Sequence, residues 1–139
     1  MRRKTREKVL QTLYMCDVLD LSFEEGGKLF LENFDGELDE GYFFSTLRGI
    51  EKHRQDIDNR ISKCVRNWKF ERISLVDRNI LRIGTYELFY SEEVIPHPIV
   101  INEAVELAKK FGTDESGGFV NGVLDAMRRE DISIYGGEK

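Results

Sequence analysis

Apolar residues recur along this chain at the three- and four-residue spacing of amphipathic helices. Over residues 4–20, Val9, Leu10, Leu13 and Cys16 share one face among basic neighbours. Ser22 and Glu25 have the spacing of a capping box, which opens a second helix carrying Leu29, Phe30 and Phe34; Gly36 ends it. The third segment has the sharpest period. Phe43, Leu47, Ile50, Arg54, Ile57, Ile61, Cys64 and Trp68 follow one another at 4-3-4-3-4-3-4, with Arg54 as the polar interruption. That predicts an unbroken helix of about 27 residues, roughly 40 Å long at 1.5 Å per residue. So long a helix in so small a domain belongs to two packed halves, and Arg54 marks a change of packing partner.

Ser74 and Asp77 are read as the cap of a fourth helix over residues 75–90. Val76, Ile80, Leu81, Ile83, Gly84 and Leu88 form its apolar arc, with Arg78, Arg82 and Phe89 outside it. Pro98 suits the first turn of a fifth helix, which Gly112 closes as a C′ residue. Its apolar side carries Val100, Ile101, Ala104, Val105, Leu107, Ala108 and Phe111, and its solvated side Asn102, Glu103, Glu106, Lys109 and Lys110. The run Pro98–Asn102 alone suits a strand, but the period downstream decides for helix. A sixth helix presents Phe119, Val120, Val123, Leu124 and Met127; Gly122 lies off that arc, where a close approach by another backbone or a partner would explain it. The fold class is all-α: two small bundles, about residues 1–68 and 69–132, sharing the long helix, with a frayed tail over 133–139.

Composition narrows the class. The chain has 139 residues, enough for one domain, and its 34 % of charged residues suits exposed helix faces. No apolar run approaches the 18 residues or so of a membrane span, and the N-terminus lacks a signal peptide's apolar core. Cys16 and Cys64 form no metal or redox motif and read as buried thiols in a reducing, cytoplasmic setting. The net charge of −5 hides an asymmetry: residues 2–8 carry +4, the rest −9. Such a chain would not coat nucleic acid generally, but its basic tip suits one strand held locally.

Candidate chemistry is sparse. His53 and His97 have no partner at metal-ligand spacing, and Gly26-Gly27-Lys28 lacks the rest of a phosphate loop. Glu103 and Glu106 resemble an acid–base pair only until Lys110 is noticed, placed to support Glu106 at i,i+4. Neither catalytic residues, a metal nor a cofactor are expected. The first helix offers more. Arg3 and Tyr14 lie about 20° apart on its wheel, with Gln11 about 60° from Tyr14 and Lys4 near Gln11. Cations to hold phosphates, an amide to read a base edge and a ring to stack on are what single-stranded RNA needs. A plain basic tail, with Tyr14 at the core margin, is the competing reading. Arg78 and Arg82, an i,i+4 pair, suit either an interface or solubility; Asp77 suits a cap.

Arg3–Tyr14 (RKTREKVLQTLY), Asp77–Leu88 (DRNILRIGTYEL), Ile101–Gly112 (INEAVELAKKFG) and Phe119–Asp125 (FVNGVLD) together resemble the NusB family of transcription antitermination factors. The likeness keeps the family's order and spans roughly residues 2–130. It implies a partnership with NusE, a small-subunit ribosomal protein, on the boxA element of nascent RNA. It also implies membership of an antitermination complex on RNA polymerase, chiefly on ribosomal RNA operons. The family's arginine-rich RNA-binding motif falls on Arg2, Arg3, Lys4 and Arg6, followed by Gln11 and Tyr14. Its second RNA-facing region falls on Thr113–Phe119, hence Glu115, Ser116 and Phe119. Its partner-facing acidic position falls on Asp77, beside Arg78 and Arg82. Two departures stand out: Gly117 and Gly118 replace frequent basic residues, and Lys4 replaces a frequent arginine, a point charge for a fork. The resemblance leaves two other readings: an RNA-binding domain related to ribosomal-RNA cytosine methyltransferases, and a homodimeric helical scaffold.

Overall fold

The computed structural model describes residues 1–65 and 69–136, with 131–136 as backbone only; Trp68, last of the long apolar series, lies outside the described residues. Among these the chain forms α1 (Arg2–Leu19), α2 (Phe23–Glu32), α3 (Glu40–Lys52), α4 (Arg54–Cys64), a 3-10 turn (Phe70–Arg72), α5 (Leu75–Phe89), α6 (His97–Phe111) and α7 (Ser116–Gly136), with no strand. The expected all-α class stands.

The predicted long helix is two helices. It breaks at His53, whose φ of −106° and ψ of 17° leave the helical well. The turn stays bonded across the break, His53 N–H donating to Gly49 O at 3.1 Å and Ile57 N–H to His53 O at 2.8 Å. Two ring contacts flank it: His53 stacks on Tyr90 with centroids 4.6 Å apart, and Tyr86 fills the space where a Gly49 side chain would stand. A bonded break keeps the apolar phase, so spacing alone does not reveal it. The change of partner near Arg54 is partial: α3 packs on α1, α2 and α5, and α4 on α5 and α7.

The centre of the molecule is α5, which touches α1, α3, α4, α6 and α7. Every residue from Asn79 to Glu87 is buried, all round the helix. One core therefore runs from Phe23, Phe43 and Leu47 through Ile80 and Leu81 to Leu124. Each fully buried leucine or isoleucine in it contributes about 1.5–3 kcal/mol. Burial all round also overturns one expectation: Arg82, placed off the apolar arc, is 2 % exposed.

Helix ends agree in part. The Ser22–Glu25 capping box forms in both directions. At Ser74 only one direction is seen, the hydroxyl accepting from Asp77 N–H at 3.2 Å. Helix α2 stops at Glu32 rather than Gly36, because Asn33 caps it and returns a side-chain hydrogen bond to Leu29 O at 3.0 Å. Gly112 ends α6 in extended, not left-handed, conformation; a side chain there would meet Ser116. Helix α7 continues past Ser133 to Gly136, beyond the expected start of the frayed tail. Among the described residues nothing lies within 4 Å of a Gly122 side chain, so no described neighbour explains that glycine. Gly26 does have a packing reason: the Cys16 sulfur lies against it, where a Cβ would be, so α1 and α2 meet at sulfur-to-backbone distance.

Candidate nucleic-acid interface

Helix α1 begins with Arg2, Arg3 and Lys4, cations at the end of a helix where the dipole disfavours them. The fold supplies carboxylates from elsewhere. Arg2 Nη1 donates to Glu93 Oε1 at 2.8 Å and its guanidinium lies 4.3 Å from the Tyr42 ring centroid. Arg3 grips Glu103 with a two-pronged fork, Nε to Oε1 at 3.1 Å and Nη2 to Oε2 at 2.7 Å. That hydrogen bond, with Arg3's charge, holds the Glu103 carboxyl below the usual carboxylate range. Lys4 projects into solvent.

Arg6 behaves differently from the rest of the motif. It is 5 % exposed, with Nε and Nη2 on the two Glu87 oxygens at 2.9 and 3.2 Å and Nη1 3.5 Å from Glu103 Oε1. Burial opposes its charge, but the Glu87 hydrogen bonds and charge outweigh that, and the guanidinium titrates above its ordinary value. Tyr42 Oη donates to the same carboxylate at 2.6 Å, and burial beside Glu87 pushes that phenol up. Arg6 is thus removed from the expected cationic strip; it fastens α1 to α5 and α6. Its position announced this, since Arg6 lies two turns before Leu13 on the buried stripe.

Three shallow depressions adjoin along this side. The first is bordered by Arg2, Arg3, Glu93, Ile99 and Glu103; the second adds Glu7, Glu106, Lys109 and Lys110. The third runs from Lys109 to Asp114, Gly117, Gly118 and Asn121. They share Arg3 and Glu103, then Lys109, so one track joins the start of α1 to the start of α7. Tyr14 is 43 % exposed on α1 and Gln11 half-buried. At the far end Glu115 is exposed and Phe119 half-buried. Ser116 is 2 % exposed, its Oγ accepting from Thr113 N–H at 2.9 Å, which makes it a fastening of the turn rather than a contact surface. Gly117 and Gly118 form the first turn of α7 rather than a loop, and among the described residues no atom lies within 4 Å of a Gly118 side chain.

The sequence from residue 3 to 129 matches the family model of the NusB family. The chain belongs to the NusB family. It is 43 % identical over 129 residues to the transcription antitermination protein NusB of Bacillus subtilis strain 168, covering 93 % of this chain and 95 % of the relative. Its fold superposes on T. maritima NusB with a TM-score of 0.82 at 38 % identity, over 94 % of this chain and 92 % of that one. A crystal structure of the antitermination factors NusB and NusE in complex with double-stranded RNA contains a chain of the same fold. There the TM-score is 0.79 at 29 % identity, over 92 % of this chain and 96 % of that one.

The residues expected to face a partner, Asp77, Arg78 and Arg82, lie in the first half of α5. Arg82 is enclosed: Nε and Nη2 bind Asp58 at 2.9 and 3.1 Å, and Nη1 binds Asp17 at 3.2 Å and Asn79 Oδ1 at 2.9 Å. It is a structural clamp between α1, α4 and α5, which corrects its assignment to the surface. Arg78 stacks on Phe70 at 4.8 Å and donates through Nη2 to the Glu71 and Ile73 carbonyls at 2.9 and 3.0 Å. Burial, then the charge of Arg82, pulls its guanidinium below its usual value. Arg78 Nε and Asp77 Oδ1 are buried atoms with no hydrogen-bond partner among the described residues.

Glu87, Glu93, Glu103 and Tyr42 carry the N-terminal cations and were not singled out from the sequence as their partners. A wheel gives the angle of Glu103 but not what the facing helix holds. The supporting pairs on α6 also differ from expectation: Lys110 binds Glu7 at 3.0 Å, and Glu106 pairs with Lys109 at 3.7 Å. Among the described residues no helix is long and apolar enough to cross a membrane.

Proposed function

We propose that this chain is a non-catalytic transcription antitermination factor that binds boxA-type single-stranded RNA jointly with NusE. The pair would act within an RNA polymerase antitermination complex on ribosomal RNA operons, in the cytoplasm. The observation that carries the reading is the continuous track from Arg2 and Arg3 to Gly117, Gly118 and Asn121; Tyr14 is exposed on the same helix as Arg2 and Arg3. Arg2, Arg3 and Lys4 hold phosphates, Tyr14 stacks a base, and Gln11, Glu115 and Phe119 border the strand. Few phosphate contacts give modest affinity alone, so a second protein surface is needed to grip the strand.

The NusE-facing surface is assigned to Asp77 and Arg78, which are partly exposed in the first turn of α5. A titration with boxA-type RNA and a scrambled control, with and without NusE, at two salt concentrations tests the assignment. Selective binding that tightens with NusE and weakens with salt is expected. Equal affinity for both RNAs, unchanged by NusE, refutes it.

A further inference from the structure

The track proposed for RNA is lined by cations that already have carboxylates. Arg2 holds Glu93 at 2.8 Å, Arg3 holds Glu103 at 2.7 Å, Lys110 holds Glu7 at 3.0 Å and Lys109 reaches Glu106 at 3.7 Å. A strand laid along it must displace these pairs or leave those cations unused. The pairs are not equally displaceable. Arg2 and Glu93 are both solvated, with side-chain exposures of 39 % and 58 %, so water replaces either readily.

Arg3 and Glu103 are asymmetric: the arginine side chain is 60 % exposed and the glutamate 14 %. Glu103 is also anchored behind, its Oε1 lying 3.5 Å from Arg6, which Glu87 holds in the interior. Arg3 can therefore swing out while Glu103 stays. The contact it leaves is a planar, two-oxygen, bidentate one, the same recognition a phosphate offers to a guanidinium.

We propose that Glu103 is an internal stand-in for an RNA phosphate, occupying Arg3 until a strand displaces it and so setting both affinity and salt dependence. This rests on the RNA-binding reading above. The exchange is close to neutral in counterions: the phosphate sheds its cation when Arg3 arrives, and the exposed edge of Glu103 takes one up. The pairing with Arg3 makes Glu103 an affinity-determining residue that touches no RNA.

The test is a titration of a boxA-type single-stranded RNA of about 12 nucleotides, at about 50 and 200 mM salt, with the wild-type chain, Glu103→Gln, Arg3→Ala and the double variant. Glu103→Gln is expected to bind about fivefold tighter at the lower salt, the worth of one unit charge about 4 Å away in water. Its salt slope should steepen by about 0.7, one more phosphate contact on a single strand. The gain should vanish in the double variant, because Arg3 is its route. Glu103→Asp, one methylene shorter but still charged for Arg6, should fall between wild type and Glu103→Gln and serves if the glutamine variant folds poorly. Wild-type binding with no gain in either Glu103 variant overturns this proposal alone, as does a gain that survives Arg3→Ala. No RNA binding by the wild-type chain at the lower salt overturns the RNA-binding reading and this proposal with it.

Discussion

Two regions of α5, its first half up to Arg82 and its last turns around Glu87, each help bury an arginine against carboxylates, and they finish the job differently. At the middle of the helix, Arg82 is closed in by Asp58, Asp17 and Asn79, and the polar atoms left over belong to Asp77 and Arg78, one turn nearer the start. Towards its end, Glu87 takes Arg6, and the network continues outward through Glu103 to the exposed Arg3. One region leaves buried polar atoms unsatisfied inside the fold. The other leaves satisfied cations that a polyanion would have to win over. The same residue type, arginine, is a clamp at positions 6 and 82 and a surface contact at 3, and burial separates the roles.

The comparison breaks most visibly at its buried pairs. Glu87→Ala strands Arg6 in the interior and should cost about 3–5 kcal/mol of stability in urea unfolding. Arg82→Ala should cost less, about 2–3 kcal/mol, because the Asp17 and Asp58 side chains it abandons retain 11 % and 21 % exposure and can be hydrated. Equal losses would mean that both arginines are enclosed alike. On the binding side, Asp77→Lys should abolish NusE association in a pull-down while RNA affinity holds. Tyr14→Ala should do the reverse, weakening RNA by about 1–3 kcal/mol for one lost stack. If both variants lose both activities, the two regions do not serve separate partners.

The smallest effect concerns acid. Glu103 titrates lower in the folded chain than in the unfolded one, so its contribution is complete above the ordinary glutamate range and is lost as pH falls through the depressed folded value. Melting temperature should therefore drop on acidification below about pH 4, the ordinary range, and Glu103→Gln should flatten that limb. An unchanged limb would show that the Arg3–Glu103 pair does not hold in solution.

Most of the helices were legible from spacing, and the Ser22 box and the Pro98 start from local chemistry, because each depends on neighbours in sequence. What escaped depends on neighbours in space. Arg82 looks like a surface residue on its own helix and is buried because α1 and α4 bring Asp17 and Asp58 to it. Ser116 looks like a contact residue and instead fastens Thr113 beneath it. The break at His53 escaped because a single distorted residue keeps the apolar register. Of the set expected to face RNA, Arg2, Arg3, Lys4, Gln11, Tyr14, Glu115 and Phe119 remain at least partly accessible. The carboxylates that occupy Arg2 and Arg3 come from beyond residue 90, and no local pattern connects them to α1.

The seam between α1 and α2 has a consequence of its own. The Cys16 sulfur sits against Gly26 with no room for even one added carbon, and burial together with Asp17 pushes its thiol up to about 11. An alkylating reagent therefore cannot enter while the two helices touch, and near neutral pH almost no thiolate waits for it. Reaction at Cys16 must wait for the seam to part. The rate at which this one sulfur is modified is a built-in clock for how often the N-terminal bundle opens.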